Sequence, residues 1–203
     1  MKNKNLYFYL TAYLALLIPA PGRFVYGFTL MMELFLLSFV AFFSIIFVQK
    51  IKFEQLKSII FILIIISFTI LFRQLMIFIN AEVVLTLGFL FYLPPVSLLI
   101  LNILFTQKQE DFLPQFKHNV IKTTIFTFGG MIIFLIRDIF GYGTFTFFGK
   151  NHFIYEIVLF NSNDIGIFSL LATIPGVLVL IGLLYFIYIK ISNKFDIIKL
   201  KEE

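Results

Sequence analysis

Long apolar runs, nearly free of charge, alternate with short segments that carry lysine, and this pattern dominates the chain. A membrane-spanning helix needs about 20 apolar residues, and a backbone in lipid must satisfy its own hydrogen bonds. The runs also lack the alternation of a membrane β-barrel. We therefore predict an all-α integral membrane protein with six transmembrane helices in a single domain, residues 1–203. The predicted spans are residues 5–22, 24–49, 58–80, 83–107, 120–140 and 165–189.

The first run is short and has an alternative interpretation. Residues 1–5 are basic, and residues 6–18 form an apolar stretch of the length found in cleaved signal peptides. The same residues also suit a first transmembrane helix. The placement of positive charge favours this second interpretation, because losing one span would put the terminal lysine clusters on opposite sides of the membrane.

Basic residues are distributed unevenly between the two sides of the predicted membrane. With six spans and a cytoplasmic N-terminus, twelve of the 16 basic residues are cytoplasmic, whereas the acidic residues show no bias. This distribution is typical of the positive-inside rule. We predict that both termini are cytoplasmic, with residues 192–203 as a C-terminal tail. The twelve residues are Lys2, Lys4, Lys50, Lys52, Lys57, Lys108, Lys117, Lys122, Lys190, Lys194, Lys199 and Lys201.

The composition agrees with a membrane environment and argues against several kinds of site. Hydrophobic residues make up 61% of the chain and charged residues 13%, whereas a soluble domain has about a quarter charged residues. The lysines lie between the apolar runs and form no basic face, so no nucleic-acid partner is expected. Cysteine is absent, which excludes disulfides, thiolate metal sites and cysteine nucleophiles. His118 and His152 are predicted to lie in connecting segments, and no metal site is expected.

The six predicted spans divide into two halves of three, residues 5–80 and 83–191. Three helices per half give the halves opposite orientations in the membrane. The first helix of each half contains prolines, Pro19 and Pro21 in one and Pro94 and Pro95 in the other. Interrupted helices at corresponding positions are typical of inverted repeats with a site near the midplane. The alternative is that the prolines cause ordinary kinks.

Two stretches of sequence resemble a known family. Residues 136–144, Ile-Arg-Asp-Ile-Phe-Gly-Tyr-Gly-Thr, are similar to the apolar-Arg-Glu-x-x-Gly-x-Gly-Thr segment of the six-helix subunits of Rnf/Nqr membrane electron-transport complexes, with Asp138 in place of Glu. Residues 174–184 are similar to the start of the last helix of these subunits. The chain most resembles the RnfE/NqrD branch. The resemblance implies an inverted-repeat fold, other membrane subunits as partners and a location in the bacterial cytoplasmic (inner) membrane.

The chain departs from this family where the family binds its cofactor. The family places cysteines on the first helix of each repeat, and these cysteines hold an iron–sulfur cluster. Tyr13 and Val96 occupy approximately these positions here. Neither side chain can replace a thiolate ligand. We therefore expect no cofactor bound by the chain's own cysteines, and the resemblance leaves the electron-carrying role open.

Besides Lys122 near the start of the fifth span, four charged residues fall within the predicted spans. These four are candidates for function, because a charge in the bilayer costs a few kcal/mol. Glu33 lies deepest. It is either a ligand for a proton or a cation, or a structural acid. As a structural acid it would pair with Arg73 or be neutral and hydrogen-bonded. Arg73 lies near the outer end of its span, where it can also snorkel. Arg137 and Asp138 are expected to anchor the long outer segment, residues 141–164, which lies on the membrane surface or re-enters it.

Three functional hypotheses follow from these observations. The first is a subunit of an Rnf/Nqr-like, ion-coupled redox complex, or a diverged paralogue of one. The second is a small transporter or channel-like protein with an inverted-repeat fold, motivated by Glu33 and the prolines. The third is a membrane scaffold without bound chemistry. No Walker loop, nucleophile elbow or dinucleotide-binding fingerprint is present in the sequence, so a stand-alone enzyme is not expected.

Overall fold

The computed structural model describes residues 11–98, 112–149, 153–160, 166–183, 185, 186 and 190, and it contains six helices and one β-hairpin within them. The helices are α1 (residues 11–17), α2 (Phe24–Gln49), α3 (Glu54–Ile79), α4 (Ala81–Leu87), α5 (Phe112–Ile136) and α6 (Ile174–Leu183). A 3₁₀ helix, Gly88–Tyr92, continues α4 into helical residues 93–98, and a π-helix, Arg137–Tyr142, continues α5. A second 3₁₀ helix, Gly166–Ala172, precedes α6.

Four helical segments are long and apolar enough to cross a membrane, which supports the prediction of a multi-pass membrane protein. These segments are Phe24–Gln49, Leu56–Ile79, Ala81–Leu98 and Phe116–Tyr142. In the first and sixth predicted spans, the described helical parts are α1 and α6, which are shorter. The remaining parts of these spans and the tail, residues 192–203, lie outside the described residues. The count of six spans therefore stays a prediction.

Helix α2 lies at the centre of the packing and is buried along most of its N-terminal half. Close approach to α5 depends on small residues, because a Cβ atom on Gly27 would collide with the ring of Phe134 and a Cβ atom on Gly130 would collide with Met31. Small residues at such contacts let helix backbones approach closely in membranes. These two contacts also fix the register, with α2 and α5 running antiparallel.

Helix α4 begins with a local cap and changes geometry after two turns. The side chain of Asn80 accepts a hydrogen bond from the amide of Val83 at 3.1 Å and donates one to the carbonyl of Phe153 at 3.0 Å. Gly88 ends the α-helical part with a φ of 49°, a conformation that favours glycine. The interruption of the fourth predicted span is thus the 3₁₀ helix Gly88–Tyr92.

The prolines lie at helix boundaries instead of within regular helix. Pro19 and Pro21 follow α1 in its connection to α2, while Pro94 and Pro95 occupy the first turn of helical residues 93–98. Proline is tolerated at such a junction, because the preceding turn is 3₁₀ and the missing N–H groups leave only the adjacent carbonyl without a helical donor. The prediction that prolines interrupt the first helix is therefore corrected, since the described part of that helix ends before them.

The long segment that follows α5 contains a β-hairpin that the all-α prediction did not include. Strands β1 (Thr144–Phe148) and β2 (Ile154–Val158) pair antiparallel, with Thr144 opposite Val158 and Thr146 opposite Glu156. Alternating Thr and Phe in β1 suit a strand with two different faces, because successive side chains point to opposite sides. Residues 150–152 and 161–165 lie outside the described residues. The hairpin packs on the N-terminal end of α2, where the rings of Phe24 and Phe145 stack with centroids 5.4 Å apart.

Candidate functional site

The carboxylate of Asp138 is fully buried and binds two other elements. Its Oδ2 atom accepts hydrogen bonds from the amide of Phe24 at 3.0 Å, the amide of Thr146 at 2.7 Å and the hydroxyl of Thr146 at 2.7 Å. Its Oδ1 atom accepts from the hydroxyl of Thr144 at 2.8 Å. Four donors satisfy a buried carboxylate well, so Asp138 joins the start of α2 to strand β1.

The guanidinium of Arg137 is also buried, with 1% of the side chain exposed, and it binds a different set of backbone groups. Its Nη1 atom donates to the carbonyls of Leu17 at 3.1 Å and Ala20 at 3.3 Å, and its Nη2 atom donates to the carbonyl of Ala172 at 3.3 Å. The carbonyls at a helix C-terminus have no intrahelical donors. Arg137 therefore caps the end of α1 and ties it to the segment before α6.

Together, Arg137 and Asp138 form what we call the outer joint. The two side chains make no ion pair with each other in the described structure, and each is directed to its own backbone partners. Two glycines of the same stretch are required locally. A Cβ atom on Gly141 would lie 2.7 Å from the amide nitrogen of Ala172, and Gly143 has a φ of 69°. The outer joint holds elements together and leaves no acidic oxygen free for chemistry.

A partly exposed ion pair lies beside the outer joint. Nη1 of Arg23 is 2.9 Å from a carboxylate oxygen of Glu156, and both side chains are about a third exposed. The Arg23 guanidinium also lies 5.7 Å from the ring centroid of Tyr142. These contacts fasten the second strand of the hairpin to the connection that precedes α2.

Glu33 differs from the other acids because it is fully buried and unpaired in the described structure. Its side chain is 0% exposed, and neither carboxylate oxygen has a hydrogen-bond partner among the described residues. Arg73 forms no ion pair with it, and the Nε atom of Arg73 is itself buried without a partner there. Two of the predicted alternatives for Glu33 are therefore absent among the described residues. It forms no ion pair with Arg73, and its carboxyl group makes no hydrogen bond.

A small apolar cluster lies one helical turn from Glu33 and identifies its neighbours. That cluster contains Leu37 from α2, Ile65 from α3 and Leu98 from the end of the fourth span. Because residues four apart share a helix face, Glu33 lies one turn before Leu37 and Thr69 lies one turn after Ile65 on these faces. Thr69 is 0% exposed, and its hydroxyl donates to the carbonyl of Ile65 at 3.1 Å.

The two positions that the family resemblance assigns to cluster cysteines have different environments. The hydroxyl of Tyr13 donates to the carbonyl of Phe126 at 2.7 Å, and the two rings stack at 4.1 Å. Val96 is half exposed. Their chain neighbours are in contact, because the hydroxyl of Ser97 donates to the carbonyl of Ala12 at 3.3 Å. The first and fourth predicted spans therefore meet at this depth.

Several residues in these sites were not identified from the sequence. Thr144, Thr146, Thr69 and Ser97 carry buried hydroxyls that define the sites, but isolated Ser and Thr are common in membrane helices, where they bond to their own backbone. The alternating Thr-Phe-Thr-Phe pattern was the available signal for Thr144 and Thr146, and Thr144 also ends the segment, residues 136–144, that resembles the family.

His118 was predicted in a connecting segment, and this prediction was wrong. His118 lies in α5, and its Nε2 atom is buried without a partner among the described residues. The prediction failed because the run was counted from its apolar residues, whereas a helix can continue through polar residues beyond the hydrocarbon. His152 lies outside the described residues. Over the described ranges, no group of three His, Cys, Asp or Glu residues could hold a metal ion.

The chain has no match among protein-family models, curated proteins or solved structures.

Proposed function

We propose that this protein is a membrane subunit of an Rnf/Nqr-like, ion-coupled redox complex, or a diverged paralogue that no longer holds an iron–sulfur cluster. The observation that carries the proposal is the contact between Ser97 and Ala12. These residues adjoin Val96 and Tyr13, the approximate cluster positions of the family. An inverted repeat requires its two interrupted helices to meet near the midplane, and a contact at these positions is consistent with that arrangement.

The stretch that resembles the family most supports the same proposal. Arg137, Asp138 and Thr144 are buried, and the hydroxyl of Thr144 donates to the carboxylate of Asp138. Gly141 and Gly143 are each required by local geometry. The resemblance therefore lies in residues on which the fold depends at its outer end. Such a joint is a feature that a diverged subunit would keep after losing its cofactor.

Partner subunits have a surface on which to pack. Helix α3 exposes large apolar side chains along its length, including Leu63, Leu71 and Phe78. Lipid covers such an apolar face as favourably as a neighbouring helix does, so the exposure of α3 does not distinguish the two. The test is therefore biochemical. Purification in mild detergent is expected to recover stoichiometric membrane partners by native mass spectrometry, and a stable lone monomer would contradict the proposal.

Glu33 favours a second candidate function, a small transporter or channel-like protein with the same fold. An unpaired carboxyl inside a span is costly, and such residues mark ion or proton pathways. Reconstituted protein without partners would then show a cation flux that Glu33→Gln abolishes. An unchanged flux in the variant would remove Glu33 from the mechanism. The third hypothesis, a scaffold, requires neither partners with redox chemistry nor a flux.

Both functions place the hairpin on the outer side of the bacterial inner membrane and the segment between α2 and α3 in the cytoplasm. Since the chain has no cysteine, single cysteines report on topology without background. In intact spheroplasts, an impermeant maleimide is expected to label Tyr155→Cys and to leave Lys52→Cys unlabelled until the membrane is permeabilised. The reverse pattern would contradict the predicted orientation.

A further inference from the structure

We infer that Glu33 is the acidic ligand of an intramembrane binding site for a monovalent cation, completed by the hydroxyl of Thr69 and the backbone carbonyl of Phe91. This inference rests on the proposed function only in identifying the bound cation with the ion that the protein moves. The site itself is argued from the residues of this chain.

The first part of the site is the carboxylate of Glu33. It is fully enclosed, yet both of its oxygens lack partners among the described residues. Nearly all buried polar atoms in proteins have a partner, so an exception requires an explanation such as a bound ion. Gly27 and Met31 contact α5, and at about 100° per residue Glu33 lies about 120–160° away from them around α2. On the Glu33 side, the hydroxyl of Tyr26 bonds to Thr86 of α4. The carboxylate therefore belongs to the side where α3 and the fourth span pack.

The second part is a backbone carbonyl released by two consecutive prolines. In a 3₁₀ pattern the carbonyl of Phe91 would accept from residue 94, and in an α-helical pattern from residue 95. Both residues are prolines, which have no N–H group. The preceding carbonyl, of Leu90, is already bonded to the amide of Leu93. Phe91 is 0% exposed, so its carbonyl is a buried acceptor without a helical donor.

The third part is the hydroxyl of Thr69, and two contacts set its depth. Leu37, Ile65 and Leu98 share one cluster, and one turn further out on each element lie Glu33, Thr69 and Pro94. Independently, the rings of Phe72 and Phe91 lie 6.3 Å apart, which places Phe91 beside the turn of α3 that follows Thr69. Thr69 already donates its proton to Ile65, so its oxygen has lone pairs left for a cation.

The ligand chemistry selects the charge of the ion. All three groups are oxygens, which bind hard cations such as Na⁺ and Li⁺. One carboxylate neutralises one positive charge, whereas a divalent ion would leave a net charge inside the membrane at a cost of a few kcal/mol. Carbonyls from unwound helices that coordinate Na⁺ near the midplane are a recurring design in inverted-repeat transporters.

Arg73 is the charged group that faces this region from α3, one turn further out than Thr69. It forms no ion pair with Glu33, so it leaves the carboxylate free for an ion. No other charged side chain on α2, and none on the described part of the fourth span beyond Glu82 at its outer end, lies near this depth.

The test uses the purified full-length chain in detergent and dicyclohexylcarbodiimide, which modifies protonated carboxyl groups in apolar surroundings. Modification is read by peptide mass mapping. Glu33 is expected to be modified, and Na⁺ is expected to slow this modification while choline at the same ionic strength is not. Glu33→Gln should remove the modified peptide.

Two variants test the other ligands. Thr69→Val keeps the shape of the side chain and removes the oxygen, and Pro95→Ala supplies an N–H group to the carbonyl of Phe91. Each is expected to need about tenfold more Na⁺ for the same protection, with an unchanged modification rate in Na⁺-free buffer. Pro19→Ala, in the exposed turn after α1, is the matched control. In this variant Na⁺ should protect Glu33 from modification as it does in the unchanged chain.

Three outcomes would overturn the inference. Modification that no alkali cation slows would mean that Glu33 binds only a proton. Modification absent from the unchanged chain but present in Arg73→Gln would mean that Arg73 pairs with the carboxylate. Unaltered protection in both ligand variants would refute the ligand set. None of these readouts depends on partner subunits or on flux, so failure of the site and failure of the proposed function are distinguished.

Discussion

The carboxylate of Asp138 accepts the backbone N–H of Phe24 at 3.0 Å, across 114 residues of sequence. Phe24 is the first residue of α2, and the residue before it, Arg23, provides no side-chain cap. The first amides of a helix need acceptors, and a negative charge there also interacts favourably with the helix dipole. A residue at the C-terminal end of the fifth span thus caps the N-terminus of α2 through a tertiary contact.

Asp138→Asn is expected to destabilise the protein by about 3 kcal/mol, since hydrogen bonds to charged groups contribute about 1.5–3 kcal/mol each. Four donors now bond to the carboxylate oxygens of Asp138. In the variant, an NH₂ group replaces one of these oxygens and faces a donor where an acceptor is needed. The chain has no tryptophan or cysteine, so stability is best followed by circular dichroism or by size exclusion after heating. Thr124→Val, at an exposed hydroxyl in α5, is the control. A variant as stable as the control would contradict the capping role.

Arg137→Lys is expected to loosen the end of α1 without unfolding the protein. The single ammonium group of lysine cannot reach the carbonyls of both Leu17 and Ala172, as the planar guanidinium does. Residues 18–23 should then become accessible to trypsin at Arg23, which the unchanged fold protects through its contacts. Limited proteolysis followed by mass spectrometry measures this. Cleavage at Arg23 with the same rate in both proteins would refute the prediction.

The apolar runs were sufficient to predict the four long spans, because lipid imposes both length and helical geometry. Asp138 was recognised as a candidate anchor, but its partners were not predictable, since Phe24 and Thr146 carry no signal of a contact. The hairpin escaped prediction because strands of five residues in an aromatic-rich outer segment give a weak period-two pattern. Glu33 was found from its charge alone, whereas the absence of an ion pair with Arg73 is visible only in the three-dimensional structure.

Breaking the ion pair between Arg23 and Glu156 is expected to have a small effect. Both side chains are about a third exposed, and such pairs contribute about 0–1 kcal/mol because water screens them. Glu156→Gln should therefore lower stability much less than Asp138→Asn does, and the effect should vanish at high salt. Thermal unfolding at two salt concentrations measures this difference. A loss as large as that of Asp138→Asn would show that the hairpin depends on the exposed pair more than on the buried carboxylate.

Gly27→Ala is expected to destabilise the contact between α2 and α5. A Cβ atom at this position would collide with the ring of Phe134, and overpacking of this kind costs about 1–3 kcal/mol. Gly182→Ala is the matched control, because no atom lies within 4 Å of the added carbon in α6 and alanine suits a helix better than glycine. The unfolding temperature should therefore fall for Gly27→Ala and should rise or stay the same for Gly182→Ala. Equal stability of both variants would mean that Phe134 turns aside at little cost, and that the close approach of α2 and α5 does not depend on the missing side chain.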